Sequence, residues 1–124
     1  MNSDTERFVA PQSAHGPMLA RQRIAAWLAV RECPPELCED VLLIVSELVT
    51  NAIVHAGSAA TVVASQSDGA IRVEVHDHGT DAPMVRDRDR GPGGLGLRLV
   101  ASLADAWGWE PNDDGKLVWA VRRR

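Results

Sequence analysis

Cysteine is scarce: Cys33 and Cys38, on either side of Pro34-Pro35, are the only two in the chain. That excludes a disulfide framework and a four-cysteine metal set and leaves a pair of free thiols. Long apolar runs are missing too. None approaches the ~18 residues that a membrane span needs, and residues 1–20 lack the charged-then-apolar pattern of a signal peptide. Basic residues are dispersed or gathered in one loop and at the last three positions, and the formal net charge is −4, so no extended basic face offers itself to a nucleic-acid duplex. No internal repeat or low-complexity tract is present. These absences leave a cytoplasmic globular protein as the expectation. At 124 residues and 45% hydrophobic composition, the chain reads as one domain, residues 1–124, with a core of its own.

Punctuation divides the chain clearly. Residues 7–10 suit a short first strand ended by Pro11. From about Ala14 to Val30, Met18, Ile24, Trp27 and Leu28 sit near helical spacing, with Ser13 as the expected N-cap. After Pro34-Pro35 a long helix is expected from Glu36 to about Ala56, ended by Gly57, its acidic first turn matching the positive end of the helix dipole. Residues 60–66 and 70–77 alternate in Val and Ile around Ser67-Asp68-Gly69, the pattern of a hairpin. Residues 79–92 hold little to bury and read as a mobile loop. Helical spacing returns from Leu95 to about Trp107, and after Asp113-Asp114-Gly115 the segment from Lys116 to Val121 closes the chain as a strand.

The long helix carries Glu47, Asn51 and His55, which at ~100° per residue step round the axis by about 40° each and form one inclined row. Ile44 and Leu48 lie at nearly the same angles as Asn51 and His55, so the row borders the apolar face formed with Val41, Val45, Val49 and Ala52. Buried amides and carboxylates cost roughly 2 kcal/mol or more without partners, so a hydrated metal and a phosphate would suit this border. Read singly, Glu47 and Asn51 also suit ordinary edge positions, and His55 a favourable place near a helix C-terminus. On the second hairpin strand, Ile71, Val73 and Val75 alternate with Arg72, Glu74 and His76, placing Asp77 on the apolar face. An acid there can accept from an adenine amine, or cap the turn before Gly79. Gly91-Pro92-Gly93-Gly94-Leu95-Gly96 opens the next helix, where glycine amides can converge on an anion. It is neither a Walker motif, since Leu97 follows Gly96 where a Lys is needed, nor a dinucleotide fingerprint. A flexible linker would read the same.

In order, these pieces resemble a known family. Ser46 to His55 resembles the N-box of the GHKL ATPases, and within them the bacterial anti-sigma-factor serine kinases. Asp77-His78-Gly79 resembles the first glycine box and Gly94-Leu95-Gly96-Leu97 the second, while Leu103 to Trp109 looks like the stretch after the last helix in actinobacterial members. The likeness runs from about Phe8 to Val121. It implies an α/β two-layer sandwich with a mixed, mostly antiparallel sheet and three helices on one face. It further implies ATP and Mg²⁺, with Asn51 as the metal ligand and Glu47 as the general base. Asp77 would accept from the adenine amine, and Gly79 would let the base approach. Gly94, Leu95 and Gly96 would hold the phosphates under a lid formed by about 79–92. The lid arginines Arg86, Arg88 and Arg90 alternate with Asp87 and Asp89 and read as a solvated charge run. The implied activity is phosphorylation of an anti-sigma antagonist, sequestration of a sigma factor, or both. The other reading is a nucleotide-gated interaction module with little kinase activity. The resemblance to some members also implies a homodimer, which nothing in the composition demands. The pattern departs at Asp81, where the first glycine box usually has a second glycine; a carboxylate there bears on nucleotide affinity more than on fold.

Overall fold

The computed structural model describes residues 4–79 and 96–124. Its elements are β1 (Thr5–Ala10), α1 (Gly16–Ala29), α2 (Pro35–Thr50), a π-helical turn (Asn51–His55), β2 (Ala60–Ser67), β3 (Ala70–Asp77), α3 (Gly96–Leu103), β4 (Ala106–Asn112) and β5 (Gly115–Arg123). The five strands form one sheet in the order β1-β2-β3-β5-β4. This is the α/β two-layer architecture expected from the sequence. Among the described residues every pairing is antiparallel, so the sheet is more regular than a mixed one. The reason is topological: β3 and β4 run the same way, but β5 returns between them.

Alternation builds the helix-facing side of the sheet. Phe8, Val62, Val75 and Val118 form one cross-strand row, and Ala64, Val73 and Ala120 form the next. All seven are buried, and the alanines leave room for the helices to approach. Against them α2 sets Leu37, Val41, Ile44, Val45, Leu48 and Val49, the buried stripe that its 3.6-residue period dictates. Helix α2 touches α1, α3, β3 and β5 and is the central pillar of the layer. The opposite face carries Arg7, Val63, Glu74 and Trp119 in one row. There the Arg72 guanidinium lies 4.8 Å from the Trp119 ring centroid and 2.9 Å from Glu74. Burial alone would raise the Glu74 carboxyl, but hydrogen bonds from Arg72 and His76, with their charges, outweigh it and hold the pKa below the ordinary value.

Three local expectations change. Helix α1 starts at Gly16 with His15 as N-cap and no side-chain cap bond; the Ser13 hydroxyl instead accepts from the His15 amide at 3.2 Å, two residues before Pro17 permits the helix. The long helix is α-helical only to Thr50 and then widens, with the Ala56 amide donating to the Asn51 carbonyl five residues back at 3.3 Å. Finally, the last helix ends at Leu103 and Trp107 lies on β4, where the sequence reading extends the helix. Strand pairing overrides the helical spacing there: Trp107 faces Ala120 across the ladder, and Gly108 lies under the Trp119 ring, where an added Cβ would come within 2.8 Å of a ring carbon. The hairpin β2–β3 turns through Asp68 and Gly69, both at positive φ (51° and 78°), as a type I′ turn requires.

Candidate functional site

The polar residues singled out in the sequence gather where α2 runs into the π turn and β3 ends. Asn51 opens the π turn and is 9% exposed, with no side-chain partner among the described residues. One turn earlier Glu47 is half-buried, and burial pushes its carboxyl above the ordinary range. The widened turn carries each residue after Asn51 less than the ~100° of an α-helix, so the even row from Glu47 to His55 is broken at Asn51. His55 is half-buried in the last position of that turn.

Asp77 ends β3 on the helix-facing side and is buried, as alternation with Ile71, Val73 and Val75 has it. Its carboxylate is intensively partnered. Oδ1 accepts from the Gly79 amide at 2.8 Å and from the Lys116 ammonium at 2.9 Å. The Asx-type turn anticipated for Asp77 is therefore present, and it occurs together with an ion pair. Gly79 is required by close approach: a Cβ there would lie 2.7 Å from the Ala56 Cβ and 3.0 Å from Lys116 Nζ. This contact clamps the end of the π turn onto the loop leaving β3. Gly115 is tighter still, with φ at 155° and a site for Cβ only 2.0 Å from the Asp77 carbonyl oxygen. It lets β5 begin directly against the end of β3.

Gly96 is the first residue of α3, whose Leu97 and Val100 are buried against the core. Gly94 and Leu95 lie outside the described residues, as do Asp81, Arg86, Arg88, Arg90 and all of the expected lid from residue 80 onward. On the helix-free side of the same sheet end, an open cleft of about 370 Å³ runs past His76, His78 and the 112–114 turn. Among the described residues no group of three or more His, Cys, Asp or Glu converges on a common point. No helix among them is long and apolar enough to cross a membrane. Cys33 and Cys38 are free thiols, and burial first, then the neighbouring Cys33, raises the Cys38 pKa.

A family model described as a histidine kinase-like ATPase domain matches residues 11–122. The chain belongs to that family. Among curated proteins no relative matches it. Among solved structures it is similar to the RsbU and RsbW domains of Rv1364c from Mycobacterium tuberculosis, with a TM-score of 0.77 and 19% identity over 98% of this chain. The chain spans 32% of the length of that structure's chain, and identity at this level shows the fold alone.

Within this ATPase domain, two residues at the site escape the sequence reading. Lys116 is the only lysine in the chain and sits on the inward alternation with Val118 and Ala120, but at the start of a strand that position is indistinguishable from a solvated edge without its cross-strand partner. Ser58 is 8% exposed; its hydroxyl accepts from the His78 amide at 3.1 Å and donates to the Ala59 carbonyl at 2.9 Å, tying the chain after the π turn to the chain after Asp77. A small hydroxyl residue after Gly57 looks like any loop serine, and only the three-dimensional neighbour gives it meaning.

Proposed function

We propose that this chain binds Mg·ATP between the π turn, the end of β3 and the start of α3. It then passes the γ-phosphoryl group to a serine or threonine hydroxyl of a protein partner. The partner would be an anti-sigma antagonist as phosphate acceptor, a sigma factor as sequestered ligand, or both. Family membership supports an ATPase-type site. The observation that carries the reading is Asn51, 9% exposed and with no side-chain partner among the described residues, set one turn beyond a carboxyl whose pKa burial has raised. Its polar end is not among the buried unsatisfied groups, so it can turn toward a ligand at the mouth of the widened turn.

The residues suit the ligand. Mg²⁺ takes few protein ligands and fills its shell from phosphate and water, which matches one amide and, among the described residues, no acidic cage. Bound Mg·ATP would supply the phosphoryl group together with the neutralisation of its charge. Asn51 would hold the cation through its side-chain oxygen, and Asp77 would accept from the base amine. The amides of Gly94, Leu95 and Gly96 would hold phosphate oxygens at the positive end of α3. Glu47 would take the proton from the acceptor hydroxyl and keep it on its carboxylate. A pKa raised by burial makes it a stronger base than an exposed carboxylate.

Calorimetric titration of ATP, with and without Mg²⁺, tests the binding half on the wild type, Asp77→Asn and Asn51→Ala. Loss of adenine nucleotide binding in Asp77→Asn and loss of Mg²⁺ dependence in Asn51→Ala are expected. Phosphotransfer to a serine-bearing partner tests the other half, with Glu47→Ala expected to bind nucleotide yet fail to transfer. Full transfer by Glu47→Ala, with intact Mg·ATP binding by Asn51→Ala, would refute both roles.

Asp81 favours a second reading, a nucleotide-gated interaction module in which binding survives but a closed transfer geometry does not. Tight nucleotide binding with no transfer to any serine-bearing partner would select it.

A further inference from the structure

The one lysine of the chain is spent in its interior. Lys116 faces Asp77 across the β3–β5 ladder on the helix side, its side chain is 5% exposed and that of Asp77 1%, and the two meet at 2.9 Å. Lysines are almost never buried this far, and a well-packed apolar pair commonly holds two strand ends as firmly as an ion pair. The pairing therefore calls for a reason other than cohesion. Geometry supplies one. The ammonium and the Gly79 amide both donate to Oδ1, and no donor among the described residues reaches Oδ2. The terminal torsion of an aspartate is broad and roughly two-fold, so an aspartate without these donors could offer either oxygen over a range of angles. Two donors on one oxygen fix the plane of the carboxylate and leave the other oxygen as the acceptor.

We propose that Lys116 is a positioning residue for purine recognition, fixing Asp77 so that Oδ2 alone meets the 6-amino group of an adenine. The proposal rests on the proposed function, in which Asp77 receives the base. Two separable effects come from the lysine. Its charge offsets that of Asp77, which would otherwise repel any polyphosphate, whatever the base. Its hydrogen bond orients the carboxylate, which matters only to a ligand with an N–H at that point, and holding the acceptor in advance removes an ordering cost from binding.

A double comparison separates the two effects. The wild type and Lys116→Met are titrated with Mg·ATP and with the Mg²⁺ complex of purine riboside triphosphate, which is ATP without the 6-amino group. The wild type is expected to prefer ATP by about 10- to 100-fold, the range of a hydrogen bond to a charged acceptor. In Lys116→Met that preference should shrink to about threefold or less, because both ligands lose the charge effect and only ATP loses the orientation. Equal weakening of both ligands, with the preference intact, would overturn the positioning role. Failure of the wild type to bind either nucleotide would instead overturn the assignment of Asp77 to the base.

A second measurement needs no variant. Lysine-selective ¹⁵N labelling of the full chain gives one side-chain ammonium resonance, because Lys116 stands alone. ATP should shift it more than purine riboside triphosphate does, and inorganic tripolyphosphate should leave it in place. A resonance that responds identically to both nucleotides would count against the proposal.

Discussion

Replacing Lys116 with Met removes the charge and keeps most of the stem, so its effect on stability isolates the ion pair. With the two side chains 5% and 1% exposed and 2.9 Å apart, Coulomb's law at an effective dielectric of ~20 gives a gross attraction of about 6 kcal/mol. The lysine's own desolvation is relieved in the variant, but Asp77 stays buried with the Gly79 amide as its donor. Measured losses for breaking one half of such a pair run at about 3–5 kcal/mol, and that is the expected cost. It is a large part of the ~5–15 kcal/mol that holds a domain together. Urea unfolding followed by tryptophan fluorescence reads it directly, since Trp107, Trp109 and Trp119 flank the ladder that carries Lys116. At a slope of about 2 kcal/mol/M the midpoint should fall by about 2 M. The double variant Asp77→Asn/Lys116→Met buries no charge and should regain most of the loss. A single variant within about 1 kcal/mol of the wild type would refute the reasoning, as would a double variant no better than the single one.

Gly115→Ala should be severely destabilising, by more than about 2 kcal/mol, because a Cβ would sit 2.0 Å from the Asp77 carbonyl oxygen and 2.6 Å from the His78 Cα, both backbone atoms that cannot step aside. A wild-type melting temperature would contradict the close approach described. For Glu47→Gln the sign follows from a carboxyl that burial makes harder to ionise in the folded state than in the unfolded chain. The folded state gains from protonation in acid and loses that gain as pH rises through the folded pKa, so Gln should stabilise at neutral pH and the benefit should vanish on acidification. Because the side chain is half exposed, solvent screening keeps the gain under about 1 kcal/mol. Melting curves at pH 7 and pH 4 check it, and a benefit that grows in acid would refute it.

Local chemistry made much of the layered fold readable. Alternation around Asp68-Gly69 specified the hairpin and sent Asp77 inward, and the apolar stripe of α2 marked its buried side. What escaped the sequence was set by partners distant along the chain. Trp107 continues the spacing of Leu99 and Leu103, and only the presence of β5 beside it turns that segment into a strand. The π turn leaves no trace in periodicity, since one widened ring of hydrogen bonds is shorter than the window in which a period can be measured. Lys116 at a strand start looks like a solvated edge until Asp77 is placed opposite it. Of the candidate site, angle and alternation mark Glu47, Asn51 and Asp77, and the family resemblance marks Gly79, whereas Ser58 and Lys116 require knowledge of which loop ends meet.

The widened turn at Asn51–His55 also imposes a rule of length. It holds one residue more in its ring of hydrogen bonds than an α-helical turn does, and Ala56 beyond it meets Gly79 where there is no room for another Cβ. Deleting one residue from this stretch would rotate the chain beyond it by ~100° and draw it back by ~1.5 Å, carrying Ala56 off its seat. A gap at this point in a comparison of relatives is consequently different from a gap in a loop. It trades one helix face for another, and the side chains after it must be matched by direction in space before they are matched by position in sequence.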